Sequence, residues 1–155
     1  ESTKGEGTVF RIYLPAINEA PTQKSDVQIT QPKGGPETIL LVDDEDLVRE
    51  LGVEFLSRAG YKVIGASNGK QAIDIYMDKK EQIDLIILDL IMPEMGGKQC
   101  LDKILKINPN AKVLISSGYS TSNSVRETLT GGAVGFISKP FKLHQMLSAI
   151  RDVLK

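Results

Sequence analysis

Between Glu37 and Lys155 the sequence alternates five times between a short aliphatic run and a segment whose apolar residues recur every three to four positions. The runs are Ile39-Leu40-Leu41-Val42, Tyr61-Lys62-Val63-Ile64, Leu85 to Leu88, Val113-Leu114-Ile115 and Ala133 to Ile137. Four consecutive aliphatics are too few for a helix with one wet face, and they suit a strand covered on both sides. The intervening segments read as helices: Leu47, Val48, Leu51 and Phe55 line the first, Ala72, Ile73, Tyr76 and Met77 the second, and Leu101, Ile104 and Leu105 the third. A short fourth spans Ser122 to Leu129, and Leu143, Met146, Leu147, Ile150 and Leu154 mark a fifth. Strands and helices in this alternation build βαβ units with right-handed crossovers. The expected fold is therefore α/β, a doubly wound five-stranded parallel sheet of strand order 2-1-3-4-5 with five helices.

Chemistry-bearing residues recur at one place, immediately after an aliphatic run. Asp43 and Asp44 follow the first run, Asp89 the third, Ser117 the fourth, and Lys139 with Pro140 the fifth. In that strand order the first and third strands are neighbours at the switch point, so the three carboxylates converge at the carboxyl edge of the sheet. Like charges so close stay ionised together only beside a cation, and hard oxygen ligands suit Mg²⁺, with Mn²⁺ a workable substitute. The site has no Cys or His to act as a nucleophile. The available one is a carboxylate, with Asp89 the best placed, attacking phosphorus to give an acyl phosphate. Lys139 would pair with one phosphoryl oxygen and the Ser117 hydroxyl would donate to another. Ser116 is the alternative hydroxyl, although register against the Gly118 turn favours Ser117.

Val42-Asp43-Asp44-Glu45, Leu88-Asp89-Leu90-Ile91-Met92-Pro93, Ser117-Gly118 and Lys139-Pro140-Phe141 resemble, in order and placement, the four motifs of a response-regulator receiver domain, which has a flavodoxin-like fold. The resemblance covers residues 37–155. It implies that Asp89 takes a phosphoryl group from phosphohistidine and that Asp44, Asp89 and the main-chain carbonyl of Ile91 bind the metal. It further implies that Asp43 supports the ion through water, that Ser117 moves toward the phosphate and that Phe136 turns inward behind it as a switch. The Lys139–Pro140 bond is expected to be cis, as X-Pro permits. Ile91 is apolar where several relatives are polar, and Tyr119 is bulky; both are expected to shield the acyl phosphate from water. Phe136 lacks the hydroxyl of tyrosine-bearing relatives.

Residues 1–16 alternate Phe10, Ile12 and Leu14 against Val9, Arg11 and Tyr13, a strand pattern. Gly5-Glu6-Gly7-Thr8-Val9-Phe10 through Pro15 resembles the closing strand of the ATP-binding domain of sensor histidine kinases, of which nothing else is present. Residues 17–36, with Pro21, Pro32, Gly34, Gly35 and Pro36 among polar side chains, read as a linker, and 37–155 as the receiver. The resemblances together point to a hybrid sensor histidine kinase as the parent.

The 155-residue chain has a net charge of −1, and its basic residues are scattered, which argues against nucleic acid and membrane surfaces as direct partners. No apolar run has the length of a membrane span. A lone cysteine, Cys100, fits a reducing cytoplasm and is expected to be half-buried in its helix, while His144 is expected at the surface beside the last apolar stripe. The expected partner is a histidine kinase dimerisation domain or a His-phosphotransfer protein, with a weak homodimer left open. Isolated, the chain would catalyse only its own phosphorylation and dephosphorylation. Two alternatives stand beside this reading. One is a haloacid-dehalogenase-like Mg²⁺-dependent phosphatase using Asp44-Glu45-Asp46, and the other is a receiver-like docking module that takes no phosphate.

Overall fold

The structure is a computed structural model that describes residues 1–5, 7–13, 34–118 and 123–155, with backbone alone for 123–125. In chain order the elements are β1 (Ser2–Thr3), β2 (Gly7–Thr8), β3 (Thr38–Val42), α1 (Asp46–Arg58), β4 (Lys62–Ala66) and α2 (Gly69–Lys79). There follow β5 (Leu85–Asp89), α3 (Gly97–Ile107), β6 (Val113–Ser117), α4 (Asn123–Thr130), β7 (Gly135–Ser138) and α5 (Leu143–Leu154). β3 to β7 form one parallel sheet of order β4-β3-β5-β6-β7. Counted from Thr38 this is the expected 2-1-3-4-5.

Side-chain alternation along the strands divides the core into two layers. Leu40, Val42, Ile86, Leu88, Val113 and Ile115 pack with Ala72, Tyr76, Cys100, Leu101 and Ile104 of α2 and α3. On the other face Ile39, Leu41, Leu85, Ile87 and Leu114 meet Leu56 of α1 and Met146, Leu147 and Ile150 of α5. Each fully buried Leu or Ile contributes roughly 1.5–3 kcal/mol of transfer free energy, so the central strands anchor whatever stands at their ends.

Helix α1 turns a different face inward from the one its apolar periodicity indicates. Its buried residues are Gly52 and Leu56, while Leu47, Leu51 and Phe55 are exposed. The reason is close approach: a Cβ at position 52 would lie 2.6 Å from Leu41 Cδ2. Gly52 is thus where the helix comes nearest the sheet, and a glycine carries no hydrophobic signal. The helix ends at Gly60, whose φ of 106° suits glycine and lets the Tyr61 amide return to the Leu56 carbonyl at 3.1 Å.

The N-terminal segment also departs from expectation. Ser2–Thr3 and Gly7–Thr8 form a small antiparallel pair, and residues 9–13 belong to no strand. Phe10, Ile12 and Tyr13 are 83–86% exposed, and among the described residues the one sheet besides that of β3 to β7 is the two-residue β1–β2 pair. Leu14, Pro15 and most of the expected linker lie outside the described residues. Cys100 is fully buried rather than half-buried, and its thiol reaches the carbonyl of Gly69, the first residue of α2, at 3.6 Å. Burial pushes that thiol up to about 11, which makes it unreactive.

Candidate phosphoryl site at the carboxyl edge

Val42 of β3 pairs in register with Leu88 of β5, so Asp43 and Asp89 leave the sheet side by side. At the far side of the site, Ser117 pairs with Ser138, and the amide of Lys139 donates to the Ser117 carbonyl at 2.8 Å. The strand therefore delivers Lys139 to the same edge as the carboxylates. The Lys139–Pro140 peptide is cis, as expected.

The Lys139 ammonium bridges two carboxylates. Its Nζ lies 2.7 Å from Asp43 Oδ2 and 2.9 Å from Asp89 Oδ2. The other oxygen of each carboxylate is held locally: Asp43 Oδ1 accepts from the Glu45 amide at 3.1 Å and Asp89 Oδ1 from the Ile91 amide at 3.3 Å. Asp43 and Asp89 are buried, at 3% and 6% exposure, and Asp44 is half-buried beside them. Carboxylate oxygens of the three lie within 4.8 Å of one another. Three carboxylates against one ammonium leave the pocket short of positive charge, and its donors are all hard oxygens. The set fits a divalent cation of the Mg²⁺ type.

Burial pushes the Asp89 carboxyl above the usual aspartate range, and the hydrogen bond and charge of Lys139 only partly offset this. Burial likewise opposes the charge on Lys139, yet its hydrogen bonds to Asp43 and Asp89 raise its pKa overall. The lysine thus stays cationic, while Asp89 holds its charge less firmly than an exposed aspartate.

Three features of the site were not legible in the motifs. Arg49, one turn into α1, donates from Nη1 to the Asp43 carbonyl at 2.7 Å and pairs with Asp46, which fixes the acidic turn. Gly97 opens α3 against Asp89 and Leu90, its amide donating to the Leu90 carbonyl at 3.0 Å. Asp43 contacts Lys139 directly, a pairing across 96 positions of sequence that no local pattern announces.

Among the remaining expected residues, Ser117 closes β6 fully buried, whereas Ser116 is buried beside it with an Oγ that has no hydrogen-bond partner. Ile91 is 58% exposed at the rim. Phe136 is half-buried against the α2 and α3 layer. Tyr119 lies outside the described residues. His144, half-buried rather than exposed, sits at the start of α5 outside the cluster. Asp46, required by the phosphatase alternative, is the first residue of α1, with its side chain exposed and paired with Arg49.

The model of the response regulator receiver domain matches residues 39–151. Sensor kinase CckA of Brucella abortus is 32% identical over the whole of this chain, which spans 17% of that protein's length. Chemotaxis protein CheY of Thermotoga maritima is 36% identical over 76% of this chain and 97% of its own. Among solved structures, that of a CheX–CheY complex with BeF3 and Mg²⁺ from Borrelia burgdorferi superposes with a TM-score of 0.76 and is 28% identical, covering 81% of this chain and 99% of that one.

Proposed function

The chain belongs to the response regulator receiver domain family, and from that premise we propose that Asp89 is the residue that carries the phosphoryl group. The domain itself is a phosphoacceptor of a two-component phosphorelay. The observation that supports the assignment is the Lys139 bridge, which holds one oxygen of a buried carboxylate at the open edge of the sheet. In the transfer, an Asp89 oxygen attacks phosphorus, the phosphorus–nitrogen bond of a phosphohistidine breaks with its electrons returning to the imidazole, and an acyl phosphate remains. Lys139 exchanges its contact with Asp89 for one with a phosphoryl oxygen, and the Ser117 hydroxyl donates to another. Asp44, Asp89 and the Ile91 carbonyl would hold Mg²⁺, with Asp43 linked through water. Bound there, the ion supplies positive charge for the transferring group.

Receiver domains work with histidine kinases or phosphotransfer proteins, and the donor here is either a kinase dimerisation domain or a His-phosphotransfer protein. An open cleft lined by Val48, Gly118, Lys139, Pro140 and Phe141 leads to Lys139 and offers the route by which a donor histidine approaches. Residues 1–16 are read as the end of a kinase ATP-binding domain and 17–36 as its linker. Similarity to a sensor kinase along the full chain supports a hybrid kinase as parent. Among the described residues no helix is long and apolar enough to cross a membrane, and a cytoplasmic setting is the one we propose. Phe136, half-buried, is assigned the switch that follows Ser117.

Intact-mass spectrometry after incubation with Mg²⁺ and acetyl phosphate tests the assignment. A phosphoryl adduct absent from Asp89→Asn and from a metal-free control supports it. An adduct that persists in Asp89→Asn overturns it.

A further inference from the structure

Resting on the reading that Asp43, Asp44 and Asp89 hold a divalent cation, we infer that Arg49 is a positioning residue for that ion, acting through the peptide that joins Asp43 to Asp44. Arg49 touches neither the ion nor the phosphoryl group. It sets where the Asp44 carboxylate stands.

Asp44 is the carboxylate of the three that its neighbours leave unsecured. A carboxylate oxygen of it lies within 4.8 Å of one from Asp43 and one from Asp89, yet among the described residues it makes no hydrogen bond or ion pair. Its place therefore depends on its backbone. Asp43 is fixed at its amide, which donates to the Ala66 carbonyl at 3.1 Å, and at its carboxylate, which pairs with Lys139. The Asp43 carbonyl, the oxygen of the peptide leading into Asp44, accepts from Arg49 Nη1 at 2.7 Å. A peptide unit is planar, so a hold on that oxygen also orients the Asp44 amide and Cα.

Arg49 can hold the peptide because it is itself held. Its side chain is 17% exposed, its Nη2 pairs with Asp46, and its Cγ and Cδ would lie 3.6 and 3.5 Å from a Cβ at Gly65 of β4. A guanidinium offers its donors in a rigid planar fork, and here one branch takes a carbonyl while the other takes a carboxylate. Lysine, with one ammonium on a flexible stem, does not reproduce both contacts.

The sign of the effect separates positioning from charge. Removing a cation beside an acidic site, and leaving Asp46 without its partner, would strengthen Mg²⁺ binding if charge alone mattered. Positioning predicts the reverse. Groups that orient metal ligands are worth roughly 10–100-fold in affinity, whereas the repulsion from a partly exposed charge is screened by salt.

Mg²⁺ is titrated into the full chain, as the parent, Arg49→Gln and Arg49→Lys, and binding is read from the Asp44 and Leu90 amide shifts in ¹H–¹⁵N spectra, with urea midpoints measured alongside. Saturable shifts are expected in the parent, with affinity about tenfold weaker in Arg49→Gln and severalfold weaker in Arg49→Lys although its charge is kept. Affinity equal to or tighter than the parent's in folded Arg49→Gln would overturn the inference and leave the metal reading standing, and a lowered urea midpoint with that result would make Arg49 merely structural. If Arg49→Gln does not fold, parental affinity in Arg49→Lys overturns it. No saturable shift in the parent would overturn the metal reading and the inference together.

Discussion

Gly97 lies against Asp89 so closely that a Cβ at position 97 would stand 2.3 Å from the Asp89 carbonyl oxygen and 2.7 Å from Leu90 Cα. Both clashes are with backbone, which cannot swing aside as a side-chain tip can. The loop carrying Asp89 is therefore shaped from beneath by the first residue of α3. Gly97→Ala is expected to lower stability by about 1–3 kcal/mol in urea denaturation. It should also slow phosphoryl uptake from acetyl phosphate by more than tenfold, since small misplacements of a reacting group are expensive.

Lys139 is the cation facing Asp43 and Asp89, and removing it leaves two buried carboxylates adjacent. Lys139→Met should reduce stability by about 3–5 kcal/mol in the absence of metal, the range for an uncompensated buried charge. Mg²⁺ should restore part of that loss. Equal urea midpoints for this variant with and without Mg²⁺ would show that the carboxylates do not share an ion.

Asp89 has a pKa raised by burial, so the folded protein binds its proton more tightly than the unfolded chain. The sign follows directly. Ionising Asp89 lowers stability as pH rises from the unfolded pKa through the folded one, and the penalty is fully present at neutral pH. Metal-free Asp89→Asn should accordingly be more stable than the parent at pH 7, with the difference shrinking as the pH falls. Urea midpoints of both proteins without metal across the acid range check the statement.

Glu37, at the entry to β3, accepts from Arg151 Nη1 at 3.3 Å and pairs with its Nη2, and the guanidinium lies 5.8 Å from the Tyr61 ring centre. The Arg151 hydrogen bond holds the Glu37 carboxyl below its usual range. The contribution is present above the unfolded pKa and is lost as pH falls through the lower folded value. A double-mutant cycle of Glu37→Gln and Arg151→Gln should give about 0.5–1 kcal/mol at neutral pH and nothing at the acid end.

Ile91 stands exposed at the rim two residues from Asp89, its amide bonded to the Asp89 carboxylate. As an apolar cover it would keep water from the acyl phosphate. Ile91→Asn should speed loss of the phosphoryl group severalfold, as followed by intact mass over time. An unchanged rate would assign the lifetime to other residues.

The aliphatic runs, their spacing and the polar residues at their ends determined the α/β order and the sheet edge at which Asp43, Asp44, Asp89, Ser117 and Lys139 stand. They could do so because a buried parallel strand and its polar terminus are both local signals. What the sequence could not supply came from approach distances and long-range pairing. Gly52 and Gly97 mark the places where helices press on the sheet, and glycine leaves no trace in a hydrophobic pattern. The rotation of α1 that exposes Leu47, Leu51 and Phe55 follows from the first of these. The strand expected over residues 9–14 is absent over the described residues 9–13 for the opposite reason, since an alternating pattern states which face is apolar but not whether a sheet exists to receive it. The Lys139 bridge and the unpaired Ser116 hydroxyl exist only once β3, β5, β6 and β7 lie side by side. Tertiary packing, by setting how near each element comes to the next, decided which of the sequence's polar groups meet and which is left unpaired.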